Sequence, residues 1–206
     1  MIKISRENRI YPLIGAILVF ILSFSVLYLG ENVGLSDNGD FRRVLLSNNL
    51  EYADDTDYYY LFKQDYKMEV EGNNYFSKAI SVLKTDKNWD IYSSPHFMFI
   101  KLAKLLNLTD NMIHGRDETS FNIAWLAGLY IFLLSCAAWG IFTFFADFKP
   151  SVKAAVLIMF LFVFCDAGYL LYFNSFYGEP LQYVALMMLL SVGLMIYKNP
   201  TIPKVI

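Results

Sequence analysis

Charge is what this chain has least of. Only 17% of its 206 residues are Asp, Glu, Lys or Arg, against about 25% in soluble domains, and that shortage argues against an ordinary soluble fold. A net charge of −2 with no basic stripe excludes a nucleic-acid partner. The two cysteines, Cys136 and Cys165, both lie inside apolar runs, so no disulfide framework is expected. The two histidines, His96 and His114, are not joined by any Cys/His spacing of the kind zinc requires. P-loop and dinucleotide fingerprints are missing, which removes the common nucleotide-binding classes. There is no internal repeat and no low-complexity tract.

What the chain does have is apolar length, with 56% hydrophobic residues and 17% aromatic ones. A membrane-spanning helix needs about 20 mostly apolar residues. Four stretches meet or approach that: "YPLIGAILVFILSFSVLYLG" at 11–30, "FNIAWLAGLYIFLLSCAAWGIFTFF" at 121–145, "AAVLIMFLFVFCDAGYLLYF" at 154–173 and "LQYVALMMLLSVGLMIY" at 181–197. The first follows Lys3, Arg6 and Arg9, but it is too long for a signal peptide and no small-x-small cleavage site follows it, so it reads as an uncleaved anchor. Positive residues in short flanks mark the cytoplasmic side. Lys3, Arg6 and Arg9, then Lys149 and Lys153, then Lys198 and Lys204 all fall on one side if the chain crosses four times. The expectation is therefore an all-α integral plasma-membrane protein with four transmembrane helices and a large outer loop containing juxtamembrane helices. Residues 1–30 form a cytoplasmic N-terminus and the first span, 31–120 an extracytoplasmic loop, 121–198 three further spans, and 199–206 a cytoplasmic tail.

The outer segment carries a turn at "EGNN" (71–74), an acidic Tyr-rich patch "EYADDTDYYY" (51–60), and helices expected at 41–49 and 74–85. "PHFMFIKLAKLLNL" (95–108) is apolar but too short to span comfortably. Lys101, Lys104 and Asn107 share one helical face, which predicts an amphipathic helix lying in the headgroup plane with its lysines in the polar layer. His114 is expected in an ordinary loop, and the "NLT" sequon at 107–109 is set aside because it lies near the bilayer.

Two constellations could carry chemistry. In "GLSDNGDFRR" (34–43), Asp37 and Asp40 flank a glycine turn. One reading is a plain turn with Asp40 capping the helix from Phe41. The other turns both carboxylates towards the exit of the first span, as half of a catalytic mouth. Arg42 and Arg43 sit where cations oppose a helix dipole, and arginine suits phosphate. In "CDAGYLLYFNSFYGEP" (165–180), Asp166 lies within the third span, expensive enough to be a functional candidate. Its plain reading is a buried acid bonded to a neighbouring helix. Asn174 and Tyr177 belong to an outer turn rich in hydrogen-bonding groups. Glu179 precedes Pro180, so it is either a favourable first-turn charge or a second acid at the mouth. His96, after "YSSP", either bonds a substrate or merely sits at the membrane surface. A transporter reading is weaker, since no broken-helix pair is evident.

An acid just after the first span, a long outer loop with an "SPHF" helix, and spans leading to an outer acid at "NSFYGE" resemble the GT-C membrane glycosyltransferases, over 11–197. The resemblance implies sugar transfer from a polyprenyl-phosphate donor to an extracytoplasmic acceptor. It implies Asp40 or Asp37 as base or as ligand of a divalent cation such as Mg or Mn, and Glu179 as the second acid. Arg42, Arg43, Lys101 and Lys104 would meet the donor phosphate, with His96, Asp166, Asn174 and Tyr177 around the substrates. The family's usual pattern at the juxtamembrane helix is replaced here by "SPHF". GT-C enzymes also have more than four spans, so the expectation is an N-terminal portion that works with a C-terminal half or a further membrane subunit. The alternative is a non-catalytic accessory or binding subunit of a cell-envelope polysaccharide system, with membrane lipids as its other partner.

Overall fold

A computed structural model of the chain describes residues 10–29, 33–53, 65–84 and 94–198. Lys3, Arg6, Arg9, Lys204, the tail 199–206 and residues 54–60 of the Tyr-rich patch lie outside the described residues. The elements are, in order, α1 (Ile10–Tyr28), α2 (Phe41–Ser47), β1 (Leu50–Tyr52), β2 (Asp65–Met68), α3 (Tyr75–Leu83), α4 (Pro95–His114) and β3 (Ser120–Asn122). Then come α5 (Ala124–Phe145), α6 (Pro150–Phe164), α7 (Ala167–Leu170), a 3-10 turn (Leu171–Asn174) and α8 (Glu179–Lys198). They form two compact units: Met1–Leu29 with Tyr130–Leu170 and Glu179–Ile206, and Gly30–Leu129 with Leu171–Gly178.

The first unit holds the membrane-spanning part. α1, α5 and α8 are each long and apolar enough to cross a bilayer. α6 and the helical stretch Ala167–Asn174 make a fourth crossing only as a bent pair, with a 53° turn between them. The sequence predicts a continuous third span here. The break arises because Asp166 starts a new helix: its Oδ1 accepts the Gly168 amide at 2.8 Å, and its own carbonyl accepts from Tyr169 and Leu170. Small residues set how closely the spans approach. A methyl group at Gly15 would fall 2.3 Å from the Phe142 ring, and one at Gly140 would fall 1.9 Å from Ser191 Oγ. Such contacts drive helix association in lipid, where apolar burial gives no advantage. At one end of the unit, the Tyr11 hydroxyl donates to the Lys153 carbonyl at 2.9 Å. Lys198 Nζ donates to the Thr143 and Phe144 carbonyls and pairs with Asp147 at 2.8 Å. The start of α1, the α5–α6 turn and the end of α8 therefore meet, as four crossings demand.

The second unit contains something the sequence reading misses: a three-stranded antiparallel sheet in the order β1-β2-β3. Leu50 faces Met68, Glu51 faces Lys67, and Tyr66 pairs with both Tyr52 and Phe121. Its aromatic centre is Phe176, which the 171–178 segment supplies. Phe176 meets Phe41 at 5.6 Å, Tyr66 at 4.8 Å and Phe121 at 6.3 Å between ring centroids, and all four are buried. Such ring pairs contribute ~0.5–1.5 kcal/mol beyond burial.

α4 runs longer than predicted, and its polar side faces inward. Ser94 caps it, Pro95 occupies the first turn, and Gly115 closes it in the left-handed conformation (φ 63°). Lys104, Asn107 and Asn111 are buried. Asn107 donates to the Ser120 carbonyl at 2.6 Å and accepts the Asn122 amide at 3.0 Å, while Asn111 donates to the Asp117 and Ser120 carbonyls. His114 is the last helical residue, paired with Asp110, rather than a loop residue. The predicted headgroup-facing polar stripe is instead what fastens α4 to β3.

Candidate functional site

The segment Val33–Phe41 follows the first span and is pinned by residues of the 171–178 segment, 136 to 141 positions away. Leu35 N donates to the Leu171 carbonyl at 3.3 Å, Asn174 Nδ2 to the Val33 carbonyl at 2.8 Å, and the Tyr177 hydroxyl to the Ser36 carbonyl at 3.2 Å. Gly34 lies so close to the Asn174 carbonyl that a methyl group there would be 2.1 Å away. Asn174 and Tyr177, predicted around the substrates, act here as struts for the acidic turn.

That turn separates the two aspartates. Asp37 is 4% exposed. Its Oδ1 accepts the Gly39 amide at 2.7 Å and the Phe41 amide at 2.9 Å, and its Oδ2 accepts the Tyr52 hydroxyl. Asp40, predicted as the cap of α2, has helical dihedrals and makes no cap bond with its side chain; Asp37 takes the Phe41 amide instead. Gly39 allows this with φ 102°, a conformation that glycine enters freely. Asp40 keeps its carboxylate 54% exposed, with Arg43 Nη2 at 2.9 Å.

Beside the turn is a cavity of about 490 Å³ lined by Asp37, Gly39, Arg42, Leu45, Leu46, Leu50, Glu51 and Tyr52. Its wall combines two carboxylates, a guanidinium and a phenol with leucines. A second recess of about 500 Å³ shares Leu46, Leu50 and Glu51 and adds Lys67 and Glu69. Glu51 and Tyr52, which the sequence reading saw only as part of a Tyr-rich patch, are the functional candidates it missed. They lie on a three-residue strand, where no periodic signal exists.

Other predicted residues lie elsewhere. His96 is buried, so a substrate cannot reach it, and burial pushes its imidazole down to about 4 against a weaker opposing hydrogen bond to the Phe176 backbone. It is a neutral core histidine near pH 7. Lys104 is fully buried with Nζ 2.5 Å from the Asn48 carbonyl, which rules out a role on an outside phosphate. Lys101 is half-buried. Asp166 is exposed at the helix break and Glu179 is exposed in the first turn of α8; both belong to the first unit. Among the described residues no three His, Cys, Asp or Glu side chains gather as a metal group. Both Asp37 oxygens accept protein hydrogen bonds, while the Asp40 carboxylate faces solvent.

The family described as the YfdI N-terminal transmembrane domain matches residues 2–205, nearly the whole chain. Comparisons with curated proteins and with solved structures give no match.

Proposed function

Because the chain belongs to the YfdI N-terminal transmembrane domain family, a family of membrane proteins, we propose that it is the donor-side portion of a GT-C type glycosyltransferase. The sugar comes from a polyprenyl-phosphate donor and passes to an extracytoplasmic acceptor. One observation carries this reading. Val33–Phe41 is hydrogen-bonded to the 171–178 segment, leaving Asp40 open to solvent next to Gly39, which lines a cavity together with Arg42. A catalytic base must be reachable and held near its substrates, and the backbone bonds of the turn with the Arg43 pair supply that for Asp40.

In this mechanism Asp40 takes the proton of the acceptor hydroxyl as general base. The acceptor oxygen then forms a bond to the anomeric carbon. The bond from that carbon to the phosphate oxygen breaks, and its electron pair leaves with polyprenyl phosphate. Arg42 offsets the charge that grows on that phosphate, and Arg43 orients Asp40. Asp37 shapes the turn. Glu179, which belongs to the first unit, is a second acid tested in its own right. If a divalent cation takes part, Asp40, with its open carboxylate, is the residue that would hold it. With the Lys/Arg-rich end cytoplasmic, the site faces outward in the plasma membrane, where a lipid-linked donor is the available sugar source. Further spans come from a C-terminal half or a separate subunit.

The test is transfer from a lipid-linked sugar by the full assembly in membranes. Asp40→Asn is expected to lower the rate ~10²–10⁴-fold, the range of general acid–base catalysis, and Glu179→Gln to abolish transfer, with insertion unchanged in both. Normal transfer in both variants would remove the catalytic reading in favour of a non-catalytic binding subunit.

A further inference from the structure

Negative charge in the first unit stands apart from its positive charge. Among the described residues the unit's lysines are Lys149 and Lys153 at the start of α6 and Lys198 at the end of α8, where Asp147 already pairs with Lys198. Asp166 and Glu179 lie at the opposite ends of those two helices. Asp166 is exposed two residues past the end of α6, a helix of 15 residues whose final carbonyls add partial negative charge. Helix lengths give its depth. The 20 residues of α8 make a helix ~30 Å long, which matches the thickness of a hydrocarbon core. Tyr183, in the second turn of α8, donates its hydroxyl to the Phe164 carbonyl at 2.6 Å, so the break after α6 lies about one turn inside the apolar layer. A carboxylate without a counter-charge is costly at that level.

The surroundings of Asp166 indicate what supplies that counter-charge. Its Oδ1 accepts the Gly168 amide at 2.8 Å, and Ala167 and Gly168 are both exposed, a shelf of small residues beside the carboxylate. Tyr169 bounds the shelf. Its ring stacks on Tyr183, with 5.5 Å between centroids and 13° between planes, and the residue stays 52% exposed. Along α6, towards the lysine end, Ile158, Met159 and Phe162 are exposed, Phe162 at 82%. We propose that Asp166 and Tyr169 form a headgroup site for an ammonium-bearing phospholipid of the phosphatidylethanolamine class, with its acyl chains along Ile158, Met159 and Phe162. The ammonium N–H groups donate to the carboxylate, and the face of the ring attracts the cation. An anionic headgroup is repelled there. The site lies within the first unit and depends only on the chain being a membrane protein, so it stands apart from the glycosyltransferase reading.

Native mass spectrometry of the full chain in detergent micelles tests it. The chain is loaded with equal amounts of phosphatidylethanolamine and phosphatidylglycerol of matched acyl chains, and lipid adducts are followed as collision energy rises. The parent should retain phosphatidylethanolamine several-fold more than phosphatidylglycerol. Asp166→Asn keeps an acceptor oxygen for the Gly168 amide while removing the charge, and should bring that ratio close to equality. Tyr169→Leu should lower it. Circular dichroism that matches the parent qualifies each variant for comparison. Equal retention of the two lipids by the parent would overturn the proposal, as would an unchanged ratio in either variant. Excess soluble phosphoethanolamine separates a lipid from a free amine. Continued retention of phosphatidylethanolamine supports the lipid site, and its displacement would give the shelf to a soluble ammonium ligand instead.

Discussion

At the level of single residues, position in the fold separates groups that the sequence places side by side. Asp37 and Asp40 are three residues apart, yet one is enclosed by two amides and a phenol while the other faces solvent. The sequence does suggest an acid-bearing turn before α2. It leaves open which acid caps the helix, because the choice depends on the positive φ at Gly39 and on Tyr52 arriving from a strand. Lys104 is a similar case. Burial, with the Lys101 charge adding to it and Glu69 opposing, brings its ammonium down to about 7 from an ordinary 10.5. Between those two values the unfolded chain holds a proton that the folded chain has released. Stability therefore rises with pH through that window, by up to ~1.4 kcal/mol per pH unit, and is lowest below about pH 7. Thermal unfolding in detergent should show a midpoint that climbs from pH 7 to pH 10 in the parent, and Lys104→Met should remove most of the climb.

At the level of elements, the helices and three of the four spans are legible in the sequence, whereas the break in the third span and the strands are not. An apolar run of about 20 residues is its own evidence, and the start of α4 was marked by Ser94 and Pro95. β1, β2 and β3 have three, four and three residues, too few for alternation to show. Helical periodicity placed Lys101, Lys104 and Asn107 on one side of α4 but could not say which way that side points. What decides it is the set of bonds Asn107 and Asn111 make to β3, and no spacing along one helix contains that information. Those bonds are open to test. Asn107→Ala leaves the Ser120 carbonyl one donor short and the Asn122 amide without its side-chain acceptor, and a buried group so orphaned costs ~1–3 kcal/mol. Hydrogen exchange at Asn122 should quicken accordingly in Asn107→Ala, while amides of α8 keep the parent rate. Equal protection at Asn122 would mean that these contacts do not hold the strand.

At the level of the whole molecule, the meeting of Tyr11 with Lys153 and of Lys198 with Asp147 puts the basic flanks of α6 and α8 at one end. The expected orientation follows from those charges and can be read with an impermeant thiol reagent on intact cells. Lys149→Cys should react only after the membrane is opened, and Asn38→Cys before it. The reverse pattern would place the acidic turn in the cytoplasm and remove lipid-linked donors as its natural substrates. The Phe176 hub has one more consequence, and it concerns time. The second unit is built from Gly30–Leu129 and then waits for Leu171–Gly178, about fifty residues later in synthesis. At ~5–20 residues per second, a newborn chain spends several seconds with Phe41, Tyr66 and Phe121 around an unfilled centre. The outer unit can close only once the ribosome has passed the third crossing, so the completion of the acidic turn reports that most of the membrane part has been made.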